Sequence, residues 1–131
     1  MAKFLVVHGI PAIRAALRKE LAAHEPGAAV AEAEWGPDGL RIDAEWSPDA
    51  VFIGLVFGHD TRDVATMAKL LQTKPARPVV LCTMLPRDDP NVVQALSLGA
   101  FAYIPQPMPK GLLKQTLAQL EVLRGGRRRV P

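Results

Sequence analysis

The chain has a single cysteine, Cys82, so neither a disulfide framework nor a cysteine-rich zinc site is available to it. The longest apolar run, Val51 to Phe57, is far shorter than a bilayer span, which excludes a transmembrane helix. The segment MAKFLVVHGIP has one lysine and no long apolar block, unlike a secretory leader. No segment repeats another, and only the Gly/Arg end departs in composition. What remains is a cytoplasmic domain of 131 residues, 49% of them hydrophobic, enough to build one core.

Charge is also scarce away from one end. The formal net charge is +3, yet Arg124, Arg127, Arg128 and Arg129 all fall within the last eight residues. The remainder is close to neutral. The reading is a domain over 1–123 followed by a disordered basic tail over 124–131. Such a tail attracts nucleic acid only non-specifically and in a salt-sensitive way.

Short apolar runs alternate with helical periodicity. Phe4–Val7 reads as a strand, followed by Pro11 and by Ile13, Leu17 and Leu21 at helical spacing, with His24 and Gly27 closing the helix. Ala28–Ala33 is a second strand. Leu40, Ala44 and Trp46 suggest a short helix between Gly36 and Ser47. Val51–Phe57 has the uninterrupted apolar character of a parallel strand buried on both faces. Thr61 caps a helix carrying Val64, Met67, Ala68 and Leu71. Val79–Cys82 is the fourth strand, Asp89-Pro90 opens a helix with Val92, Ala95 and Leu96, and Gly99 ends it. Phe101–Ile104 is the fifth strand. Pro109 starts a last helix through Leu113, Leu117 and Leu120, expected to stop at Gly125-Gly126. Five strands alternating with helices predict an α/β fold: an open parallel sheet with helices on both faces. Sites in such sheets lie at the carboxyl ends of the strands, and there the sequence places His8-Gly9, Gly54, Thr83 and Gln106.

Four stretches, in order, carry a family resemblance. LVVHGIPAIRAALRKEL, SPDAVFIGL, RPVVLCTM and ALSLGAFAYIPQPMPKGLL resemble the first strand and helix, the third strand, the fourth strand and the fifth-strand region of the receiver domains of two-component response regulators. The resemblance runs from about Lys3 to Val122. It implies a doubly wound, flavodoxin-like sheet in the order 2-1-3-4-5. It also implies a pocket in which an aspartate on the third strand takes a phosphoryl group. Two acids on the first strand bind Mg²⁺ with it, and a lysine and a Thr or Ser hold the phosphoryl oxygens. This chain departs from that pattern at nearly every place. The acids are replaced by His8 and Gly9, the acceptor by Gly54 and the lysine by Gln106. Thr83 and the aromatic switch residue, Tyr103, remain.

Acids and lysine are lost together, so no charge is stranded. The implied reading is a pseudo-receiver, not an enzyme, with no cofactor or metal. It would act on a protein partner or a second copy through the helix 4–strand 5–helix 5 face. The alternatives are a response to a phosphoryl group or other small anion near Thr83, and a nucleic-acid accessory role for the arginines.

Bland roles compete for the individual residues. His8 fills the vacated space, hydrogen-bonded to Gln106 or Thr83. His59 and Asp60 have ligand chemistry but no metal-site spacing. Asp88 and Asp89 cap a helix. Thr83 bonds nearby backbone, and Tyr103 keeps one rotamer. Gln106–Pro107 is cis, as the family implies. Cys82 is a small core residue. Trp35 and Trp46 pack into the core.

Overall fold

The computed structural model describes residues 2–34, 36–55, 62–73 and 77–128, with backbone alone at 62, 63, 73 and 124–128. Trp35, Val56, Phe57, His59, Asp60, Thr61 and Pro75 lie outside the described residues, as do residues 129–131. The elements alternate as β1 (Lys3–Val7), α1 (Pro11–His24), β2 (Ala29–Ala33), α2 (Gly36–Trp46), β3 (Ala50–Leu55), α3 (Arg62–Thr73), β4 (Val79–Thr83), α4 (Pro90–Ser97), β5 (Ala102–Pro105) and α5 (Leu112–Arg128). All pairings are parallel, in the order β2-β1-β3-β4-β5. No described helix is long and apolar enough to cross a membrane.

Strand alternation divides the apolar residues between two cores. Phe4 and Val6 of β1, Ala50 and Phe52 of β3, Val80 and Cys82 of β4, and Ile104 of β5 face α1 and α5. They pack there against Ile13, Leu17, Leu21, Leu113, Leu117 and Leu120. Leu5, Val7, Val51, Ile53, Leu55, Val79 and Leu81 face the other way, against Val64, Met67 and Leu70 of α3 and Val92 and Ala95 of α4. The central strand β3 is buried at every residue, as its unbroken apolar run predicts.

Local signals explain the start of α1 and both ends of α4. Pro11 takes the first position of α1, where its missing N–H costs nothing. Asp89 caps α4 by accepting a hydrogen bond from the Asn91 N–H, with Pro90 behind it. Gly99, at φ 116°, turns the chain out of α4. The Gln106–Pro107 peptide is cis.

Three expectations are corrected. First, α5 begins at Leu112, not Pro109: Pro109, Lys110 and Gly111 form a turn, closed by the Leu112 N–H on the Pro109 carbonyl, with Gly111 at φ 85°. Second, its backbone continues helical through Gly125 and Gly126 to Arg128. Two glycines cost about 1 kcal/mol each relative to alanine but leave the backbone hydrogen bonds available. Third, α2 does not bury Ala44, which is exposed. Its buried residues are Gly39 and Asp43, while Leu40 and Trp46 are half-buried. The cause is close approach. A Cβ on Gly39 would stand 2.7 Å from a Val7 methyl, and one on Gly36 would stand 2.2 Å from the Thr66 hydroxyl. Residues without side chains let α2 lie against β1 and α3, and that brings Asp43 inside.

Candidate functional site

The carboxyl ends of the strands bring His8, Gly54 and Cys82 together, with Gln106 at the end of β5 beyond them. The His8 backbone N–H extends the β1 ladder by donating to the Ala33 carbonyl at 3.0 Å. Its side chain therefore continues the Phe4, Val6 alternation on the α1/α5 face. Gly54 continues Ala50 and Phe52 on the same face, directly beneath the imidazole. A Cβ on Gly54 would lie 2.1 Å from His8 Cδ2 and 2.4 Å from Nε2. The His8 ring thus occupies the space into which any side chain at position 54 would project.

The imidazole is 2% exposed and held from both sides of the β1–α1 turn. The Ile10 N–H donates to His8 Nδ1 at 3.1 Å, and the Arg14 guanidinium donates to the His8 carbonyl at 2.7 Å. Gly9 sits half-buried between these contacts. With Nδ1 accepting, the neutral ring carries its proton on Nε2. That atom is buried and makes no well-formed hydrogen bond among the described residues, although the Cys82 carbonyl lies close enough to favour its proton. The expected bond from His8 to Gln106 or Thr83 is not formed. Thr83 is one residue beyond Cys82, so it faces the opposite side of the sheet.

Burial pulls the His8 pKa from its ordinary 6.5 down to about 4; the Cys82 carbonyl partly opposes this, and Arg14 adds a smaller lowering. The sign for stability follows. The unfolded chain takes up the proton first, so the His8 contribution is intact above about pH 6.5 and lost as pH falls toward 4. The expected loss is on the order of 3 kcal/mol. Urea unfolding at pH 7 and pH 4 measures it, and His8→Gln should flatten that difference; an equal pH response in the variant would refute the assignment.

Thr83 is fully buried. Its hydroxyl donates to the Leu55 carbonyl and accepts from the Leu85 N–H at 3.0 Å, so it ties β3 to the β4–α4 link. Tyr103 is half-buried and its hydroxyl donates to the Leu85 carbonyl at 2.7 Å, with the Arg87 guanidinium 5.6 Å from its ring centre. Thr83 and Tyr103 therefore clamp the same link residue. Gln106 donates its backbone N–H to the Thr83 carbonyl, and its side-chain nitrogen is buried without a partner among the described residues. Cys82 is fully buried in a strand and burial raises its thiol pKa, which makes it an inert core residue. Asp89 is used in capping; Asp88 is exposed in the turn before it. His59 and Asp60 lie outside the described residues.

One pair was not anticipated. Arg77, in the link before β4, is 6% exposed and donates to the Asp43 carboxylate, which is 2% exposed, and to the Leu70 carbonyl at 2.9 Å. It joins α2, α3 and β4. An aspartate on the helix stripe between Leu40 and Trp46 was the only sequence signal, and its partner lies 34 residues away.

No protein-family model matches the sequence, and no curated protein does. Solved structures do. A response regulator receiver domain protein (CheY-like) from Methanospirillum hungatei JF-1 superposes with a TM-score of 0.81 at 20% identity, covering 96% of this chain and 98% of its own. The signal receiver domain of a DNA-binding response regulator from Colwellia psychrerythraea 34H gives 0.81 at 21%, covering 92% and 98%. The signal receiver domain of an HD domain-containing protein from Pseudomonas fluorescens Pf-5 gives 0.83 at 21%, covering 98% and 93%. With the strand order and the five helices, these likenesses establish that the chain has the flavodoxin-like fold of response-regulator receiver domains.

Proposed function

We propose that this domain is a receiver-like signalling module that works without aspartyl phosphorylation, by protein–protein contact. The observation that carries the reading is the His8 ring over Gly54. Position 54 offers no nucleophile, and the volume an acceptor carboxylate would need is filled by an imidazole held neutral. Gln106 supplies no positive charge for phosphoryl oxygens, and the Thr83 hydroxyl is already engaged by backbone. His8 and Gly54 then fill each other's space, Gly9, Thr83 and Gln106 mark the other positions of the degenerate pocket, and the domain is not an enzyme.

The contact surface in this reading is α4–β5–α5, with Tyr103 at its edge. Met84, Val93, Leu98 and Phe101 are exposed along α4 and its flanking links, an apolar content suited to a protein partner or a second copy. A cytoplasmic setting accords with it.

Intact-mass measurement after incubation with a small-molecule phosphodonor and Mg²⁺ tests the proposal. The expected mass is unchanged, and sedimentation should show the same oligomeric state with and without donor. A phosphoryl adduct would overturn it, and mapping would show whether Asp60, Asp88 or Asp89 has replaced Gly54.

A further inference from the structure

A groove of about 730 Å³ opens on the α1/α5 side, between the second half of α1 and the link from β5 into α5. Its volume falls in the range of small-molecule sites. Its walls divide chemically. Met108 and Leu113, with Pro107 and Ala16, give it an apolar floor. Lys19 comes from α1, Lys110 from the turn before α5 and Lys114 from the first turn of α5; all three are exposed around it, and none is ion-paired among the described residues. The acid in the groove, Glu20, lies 3.4 Å from His24 on its own helix. The first turn of α5 contains no acid to offset its dipole. Gln106, whose amide nitrogen is buried without a partner among the described residues, lines the groove as well.

We propose that this groove binds a small amphipathic anion, an apolar body bearing a phosphate, sulfonate or carboxylate group. The apolar body lies on Met108 and Leu113, and the anionic group meets the ammonium groups of Lys19, Lys110 and Lys114. Cations converging from α1, the turn before α5 and α5 itself exceed what a solvated helix face needs, and an apolar floor beside them disfavours a fully hydrated inorganic ion. The site goes beyond the docking role proposed above: it shares α5 with that surface but opens toward α1, whereas α4 packs on the opposite side of the sheet.

The test uses anilinonaphthalene sulfonate, an apolar body with one anionic group, titrated into the full chain and followed by fluorescence. One saturable site is expected. Its affinity should fall at least about tenfold in the combined Lys19→Gln, Lys110→Gln, Lys114→Gln variant and fall again with added salt. The neutral analogue phenylnaphthylamine should bind much more weakly. The Met108 methyl resonance should shift on saturation. Val93→Ser with Leu98→Ser, which alters the exposed α4 surface, should leave binding unchanged. Absence of a saturable site, equal affinity for the neutral analogue, or binding that the lysine variant retains would each overturn the proposal. So would loss of binding in the α4 variant. None of these outcomes bears on the phosphodonor experiment, so the two readings fail separately.

Discussion

A single methyl group added at Gly54 is expected to drive the His8 ring out of the sheet edge. In Gly54→Ala the new Cβ would sit 2.1 Å from His8 Cδ2, well inside contact distance. Strand β3 is central and hydrogen-bonded on both sides, so the backbone cannot yield. The side chain must move instead. It then loses its burial and the hydrogen bond from the Ile10 N–H. The expected cost is about 1–3 kcal/mol, the range for overpacking a core. The spectroscopic signature is more specific than the stability loss. His8 should titrate near its ordinary value in the variant and near 4 in the parent, which NMR of the imidazole reads directly. Combining Gly54→Ala with His8→Ala should recover part of the loss, giving a coupling of about 1 kcal/mol or more in a double-mutant cycle. Additive effects, or an unshifted His8 titration, would show that the ring and the glycine are not a matched pair. By the same geometry Gly54→Asp alone should not create a phosphoacceptor, because His8 occupies the carboxylate's volume.

The larger stability effect is expected at Asp43 and Arg77. Both side chains are buried, and the guanidinium spans Asp43 and the Leu70 carbonyl. Asp43→Ala leaves a buried cation without its carboxylate. Removing one member of such a pair typically costs about 3–5 kcal/mol. Domains of this size have total stabilities of about 5–15 kcal/mol, so the variant should be close to unfolding at ambient temperature. Arg77→Met with Asp43→Leu should be markedly less harmful than Asp43→Ala, because no charge is then left buried. Denaturant midpoints of the three proteins check this. A loss below about 1 kcal/mol for Asp43→Ala would show that water reaches the guanidinium.

Much of the fold was legible because its signals are local. The apolar run at Val51–Leu55, the Ile13/Leu17/Leu21 stripe, the Asp89-Pro90 cap and the Gly99 stop each act within a turn or a strand. The placement of His8, Gly54, Thr83 and Gln106 at the carboxyl ends of the strands was also legible, since topology alone puts strand ends together. Their contacts were not. Sequence order placed His8, Thr83 and Gln106 at one edge, and only the pleat decided that His8 lies over Gly54 while Thr83 faces away. The α2 register failed for a related reason. Hydropathy favours Ala44 over Asp43 as a buried residue, and nothing local reveals that Arg77 waits inside.

The sequence by itself therefore determined the order and type of the elements, the parallel α/β class, and the lack of a carboxylate at position 54. These depend on periodicity, backbone preference and residue identity. The tertiary structure decided that the space above Gly54 is filled by His8, that Asp43 is buried against Arg77, and that lysines from α1, the turn before α5 and α5 surround one groove with an apolar floor. Those outcomes depend on distances between residues far apart in the chain, which are set when the helices close on the sheet.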